Sequence, residues 1–239
     1  MSRVDLRRQQ EQRGRILHAA ATLIAAMDFH GMSMRNLAKA AGTSLANVYN
    51  YFRSKEDILF ALQKEAFEAL IAATEEALAD VDDPVGRLYG FISNHVRYFT
   101  RHTDVMRTLV HEAATLPRER RRLVRALKER YFTIARYIVR DLSERGCGHD
   151  GAGGRPAADE AELDRVTYSL FGMLNWIYGW YRPEVHGTPR QLARTIHELA
   201  LCGLAAQCPY RQIQDSMDAH LAGVEPPPLV VGLVGAEVT

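Results

Sequence analysis

Residues 33–55 concentrate side chains that bind rather than react. Asn47, Tyr49, Asn50 and Tyr51 crowd one short stretch, and amides and phenols of this kind hydrogen-bond to base edges and phosphate oxygens. Arg35 lies before them and Lys55 after them, two cations suited to a polyanion. Covalent chemistry finds no comparable cluster. There is no Gly-rich phosphate loop, no GxSxG elbow, no HExxH and no Cys/His zinc set, so neither an enzyme nor a cofactor is expected. His95, His102 and His111 lack the i, i+4 spacing of a helical metal pair, and Cys147-Gly148-His149 falls in a Gly-rich run, so no metal site is expected.

The elements around the binding stretch read as two short helices joined by a tight turn. Ser33 caps a helix that runs to about residue 41, Gly42 breaks it, and Thr43 or Ser44 caps a second from Leu45 to about Phe52. Leu37, Ala38, Ala41, Val48 and Phe52 are the apolar positions that can lock the pair together, the geometry that lays a helix into the major groove. Before them, residues 7–29 form a helix on the repeat of Ile16, Ala20, Leu23, Ile24 and Met27, which His30-Gly31 should stop through a left-handed Gly31. After them, Ser54 caps a long helix to about residue 80, with Glu56 and Asp57 favourably placed in its first turn.

Helical periodicity continues over residues 84–101, 103–114, 117–145, 159–182 and 189–207, punctuated by Pro117, Pro183 and Pro189. Residues 146–158 read as a flexible loop, and a last short helix is expected near 211–222. The expected fold is all-α. A three-helix helix-turn-helix domain covers residues 1–53. A helical bundle covers 54–222, with 54–80 as the connecting helix, and 223–239 form a flexible tail; about nine or ten helices are expected. The first 60 residues hold nine Lys and Arg against five acids, in a chain whose net charge is +1, so the basic head should meet a polyanion. Arg7, Arg8, Arg13 and Arg15 could be a basic arm on DNA or a solvated face. No apolar run reaches the roughly 18 residues of a membrane span. With no secretory signal read at the N-terminus and three cysteines that lack CxxC spacing, a reduced, cytoplasmic chain is expected.

The run GMSMRNLAKAAGTSLANVYNYFRSKEDIL, residues 31–59, resembles the TetR family of regulators. The resemblance implies an all-helical homodimer, joined through its last two long helices, that represses from a palindromic DNA operator until a small molecule binds. It implies that Ser33 contacts phosphate at a helix start and that Arg35 reaches a base edge. Thr43, Ser44, Leu45, Ala46 and Asn47 would lead the recognition helix, Tyr49, Asn50 and Tyr51 would touch groove and backbone, and Lys55 would pair with phosphate. Simple core packing is the alternative for Tyr49 and Tyr51, and a solvated helix start for Lys55.

A second resemblance lies in LFGMLNWIYGWYRP, residues 170–183, and TPRQLARTIHELALCGL, residues 188–204. It is similar to the TetR-like subset that controls fatty-acid, steroid or aromatic-acid breakdown and answers to acyl-CoA thioesters. An acyl chain needs an apolar tunnel, for which Phe91, Phe99, Met106, Leu109 and Tyr131 are candidate walls, with Trp176 and Trp180 sharing a helix face. Asn175 or Tyr178 could meet the thioester carbonyl, and Arg97, Arg101, Arg136 and Arg182 are candidates for the CoA phosphates. Core or dimer packing is the alternative for each aromatic. Ser169, Gly172 and Gly179 are small enough for helices to approach at the dimer contact, with Gln191, Arg194, Thr195 and Glu198 around it. The rival functions are a regulator answering to drugs or aromatic compounds, and a helical DNA-binding protein that senses nothing; a cavity of several hundred Å³ within residues 84–182 separates the last from the others.

Overall fold

The computed structural model describes residues 3–111, 115–145 and 159–204. Among them there is no strand. The head consists of α1 (Arg3–Gly31), α2 (Met34–Ala40) and α3 (Leu45–Tyr51), followed by the long α4 (Lys55–Leu78). The body adds α5 (Pro84–Arg101), α6 (Thr103–His111), α7 (Arg118–Arg145), α8 (Glu160–Asn175), the single turns α9 (Ile177–Trp180) and α10 (Pro183–His186), and α11 (Pro189–Leu204). The expected loop at 146–158, the helix at 211–222 and the tail lie outside the described residues.

Two expectations give way. The left-handed residue of α1 is Asp28, at φ 60°, and not Gly31, which stays in the last turn. The Asp28 carboxylate accepts from Gly31 N–H at 2.9 Å and so re-caps a final turn that tucks Phe29 and Met32 into the core. A non-glycine residue in this region stores about 1–3 kcal/mol of strain, which that burial offsets. The helix expected over 159–182 is broken into α8, α9 and α10. Pro183 forces Arg182 into extended backbone, and the Gly179 N–H closes a tight four-residue turn on the Trp176 carbonyl, at 3.0 Å. The bend buries Ile177 beside Leu174 and leaves the Trp176 indole outside.

The apolar interior divides in two. One cluster runs from Ile16 and Leu17 of α1 through the head to Phe99, Met106, Leu109 and Val124. The other runs from Leu70 of α4 through Phe91, Tyr131 and Leu174 to Ile196 of α11. The first cluster crosses the expected domain boundary at residue 53: α1 packs directly on α6, and α4 carries the cluster on to the start of α7. At about 1.5 Å per residue, α4 is about 36 Å long and takes part in both clusters.

Candidate nucleic-acid interface and ligand cavity

The helix-turn-helix is built by caps. The Ser33 hydroxyl accepts from Asn36 N–H at 3.2 Å while the Asn36 side chain accepts from Ser33 N–H at 2.7 Å, a reciprocal box that starts α2. Gly42 takes φ +61° at the turn, where no L side chain sits comfortably. Ser44 is the cap of α3, accepting from Asn47 N–H at 3.1 Å. Thr43 acts differently, its hydroxyl accepting from the Asn47 amide at 2.7 Å. The Asn47 side chain, expected to meet DNA, therefore braces the turn.

What remains on the surface of α3 is Ala46, Tyr49 and Asn50, with Tyr49 49% exposed. Val48 is buried, and Leu45 and Tyr51 pack against the head core. Ser33, Arg35 and Lys39 are exposed on the neighbouring α2. Lys55 is turned inward: its ammonium donates to the carbonyls of Phe29 and His30 at 3.3 and 3.4 Å and lies 4.6 Å over the Phe29 ring. It is thus a clasp between the ends of α1 and α4. Among the N-terminal arginines, Arg13 is bound to Glu65 of α4 and lies over the Phe52 ring, Arg7 pairs with Glu11, and Arg15 donates to Gln12.

Beneath the head lies a cavity of about 360 Å³ between α4, α5, α6, α7 and α8. It opens where the two apolar clusters meet: Phe99, Met106 and Leu109 come from one, Leu70 and Tyr131 from the other. Those residues other than Leu70, with Asn175, are the expected ligand residues that the structure places in the wall. Phe91 sits one layer behind, stacked on Tyr131 at 5.1 Å. Trp176 and Trp180 are 60% and 39% exposed and do not line the cavity, because the break after Asn175 turns them outward. Tyr178 is also outside it, half-buried with Arg107 5.8 Å over its ring.

Sequence reading missed several wall residues: Phe67 of α4, His95 of α5, Lys128 and Phe132 of α7, and Phe171 of α8. Their signal was helical spacing, since Phe91, His95 and Phe99 repeat at four and Lys128, Tyr131 and Phe132 at three and four. Glu129 and the exposed Tyr168 mark the mouth. His95 is 1% exposed; its Nδ1 is 3.0 Å from the Tyr131 hydroxyl and its Nε2 makes no hydrogen bond. Burial pushes its pKa down to about 3, outweighing the carbonyl of Leu174, so the ring is neutral at physiological pH. Behind it, Arg97 donates to Asn94 at 2.9 Å, Asn94 to Thr74 at 2.8 Å and Thr74 to the Leu70 carbonyl at 2.8 Å.

Lys128 is the cation among the described wall residues. It donates to the Leu109 carbonyl at 3.1 Å, lies 5.6 Å from the Phe67 ring, and burial lowers its pKa. The arginines expected at the cavity mouth are dispersed. Arg97 is bound to Asn94, Arg136 is forked between Asp164 and Glu160, and Arg101 and Arg182 are exposed elsewhere. On the opposite side of α8, a groove is lined by Val139, Val166, Ser169, Met173, Leu199 and Ala200, with Leu199 61% exposed. Gly172 is exposed on α8, whereas Gly179 lies under the Trp176 ring of its own chain. Gln191, Arg194, Thr195 and Glu198 are exposed along α11.

No group of His, Cys, Asp and Glu among the described residues could hold a metal. No described helix is long and apolar enough to cross a membrane.

Comparison with known proteins places this geometry. Residues 16–62 match the family described as bacterial regulatory proteins, tetR family, and residues 81–204 match the tetracyclin repressor-like C-terminal domain. The fatty acid metabolism regulator protein of Bacillus subtilis (strain 168) is 35% identical over 80 residues, 34% of this chain and 41% of that one. The chain thus spans less than half the length of the curated relatives it matches. The crystal structure of PfmR, a TetR family transcriptional regulator from Thermus thermophilus, is 33% identical with a TM-score of 0.67, covering 78% of this chain and 97% of that one. The structure of AibR in complex with isovaleryl coenzyme A and operator DNA is 26% identical with a TM-score of 0.68, covering 79% and 97%.

Proposed function

Since the chain belongs to the TetR family of DNA-binding transcriptional regulators, we propose that it represses from a palindromic operator and is released by a small acyl compound, an acyl-CoA thioester in the first instance, bound in the cavity beneath the head. The cavity itself carries this reading. Its wall includes Phe67 and Leu70 of α4, the helix whose first residue, Lys55, clasps the head, so one element touches both ligand and DNA-binding unit. A sensing role needs room, and a volume of about 360 Å³ argues against the non-sensing alternative. An apolar cavity of about 150 Å³ holds one benzene, so this one has room for an acyl group of roughly twice that bulk. A CoA moiety would have to remain outside, past Glu129 and Tyr168.

Exposed Ala46, Tyr49 and Asn50 on α3 and Arg35 on α2 would face the operator. The apolar groove between α8 and α11 would be covered by a second copy, setting two recognition helices about 34–36 Å apart on successive major grooves. A ligand shifts that spacing only by binding one arrangement of the dimer more tightly than the other. The relatives named for fatty acid metabolism and for isovaleryl coenzyme A support the effector class. The wall rings Phe99, Tyr131, Phe132 and Phe171 favour a second reading, an aromatic effector without CoA.

The experiment is a mobility shift of DNA from upstream of the gene, with and without a panel of acyl-CoAs, aromatic acids and uncharged drugs. A shift undone by a thioester is the expected result. A shift undone only by an uncharged drug would reject the acyl reading, and no shift at low salt would reject the repressor.

A further inference from the structure

Among its described wall residues the apolar cavity has one cation, and that cation is already committed to a backbone carbonyl. Lys128 on α7 donates to Leu109 O of α6 at 3.1 Å, and both residues line the space. Two described side-chain hydrogen bonds tie α6 to α1. At its start, the Thr22 hydroxyl of α1 donates to Asp104 at 3.0 Å, and Arg107 donates to the Ala25 carbonyl of α1 at 3.2 Å. Helix α6 is thus tied to the head along one side and to α7 through Lys128 near its end. A change at the Lys128 tie reaches α1 through two hydrogen bonds.

We propose that Lys128 reads the effector: an oxygen of the ligand's acyl group, carboxylate or thioester carbonyl, replaces the Leu109 carbonyl as acceptor of the Lys128 ammonium, and loss of that tie frees α6 to move with α1. The inference rests on the cavity being the effector site of the proposed function. An ammonium surrounded by Phe67, Met106 and Leu109 gains little from water, and burial already disfavours its charged form. A carboxylate would add its own charge to the bond, which the neutral Leu109 carbonyl does not. The rest of the ligand would lie against the rings of Phe99, Tyr131 and Phe132, which suits an aryl-bearing chain.

The test is titration calorimetry of the full chain with three probes of matched body: 4-phenylbutanoate, its CoA thioester, and butylbenzene, which has no oxygen. Lys128→Met should weaken the acid, the thioester or both by about tenfold or more, the worth of a charged hydrogen bond, and leave butylbenzene unchanged. Lys128→Arg should restore part of the lost affinity. If Lys128→Met does not fold, as judged by thermal melting, Lys128→Gln carries the comparison. Weakening of the acid alone assigns the site to a free carboxylate, and weakening of the thioester assigns it to the acyl-CoA. Equal effects on all three probes, no effect on any, or no binding of either oxygenated probe to the unaltered protein would overturn the proposal. Because no DNA is present, failure of the operator experiment leaves this result readable on its own.

Discussion

At the scale of the residue, exposure decides which side chains can meet DNA. Arg35 is exposed on α2 beside the outer face of α3. Arg35→Ala should cost about 1–3 kcal/mol at the operator and less on random DNA if the guanidinium reads a base. Equal losses in parallel titrations would make it a phosphate contact. His95 makes the second residue-scale prediction. Its folded pKa of about 3 lies below the ordinary 6.5. Between those values the unfolded chain binds the extra proton and the folded protein does not. Stability therefore rises with pH across this window and is lost as pH falls below about 6.5, by up to about 1.4 kcal/mol per unit. Urea midpoints measured at pH 7 and pH 5 should fall less in His95→Gln than in the unaltered protein; an identical fall in both would place the acid sensitivity elsewhere.

At the scale of the element, caps and breaks do the positioning. Ser44 alone caps α3 through its side chain, and α3 has only seven residues, too short to persist unaided. Ser44→Ala should cost about 1 kcal/mol of stability and weaken operator binding further, because a frayed α3 misplaces Tyr49 and Asn50. Melting curves and mobility shifts on the same variant would check both, and an unchanged melt would show that packing of Val48 suffices. The caps were legible in the sequence, since Ser33 and Ser54 precede apolar periodicity and do what such residues should. The break at Trp176 had its signals in Gly179 and Pro183, but the apolar repeat of Leu170, Leu174 and Ile177 masked them. Lys128 was hidden for a different reason. It stands in a run of charged residues on α7, and only the approach of α6 from elsewhere in the chain makes it a wall residue. The inward Lys55 was likewise invisible, because its partners at residues 29 and 30 depend on the strained Asp28.

At the scale of the whole molecule, the unpartnered groove between α8 and α11 should be the surface that pairs two copies. Leu199→Arg sets a charge on that surface without disturbing the interior, since Leu199 is mostly exposed in the single chain. Sedimentation should show the variant shifted toward monomer, with operator affinity falling because one head occupies only one half-site. A variant that remains dimeric would move the interface off this groove.

The seam between the two apolar clusters has a calorimetric consequence. Side chains on its two sides, Met106 and Leu109 on one and Leu70 and Tyr131 on the other, are separated by the space they enclose. Heat should therefore loosen the head with α6 before the α5–α11 core, and the endotherm should be broader than a single two-state transition. A compound lodged in the seam would act as mortar. It should raise the midpoint in proportion to its occupancy and sharpen the endotherm until the two blocks melt together.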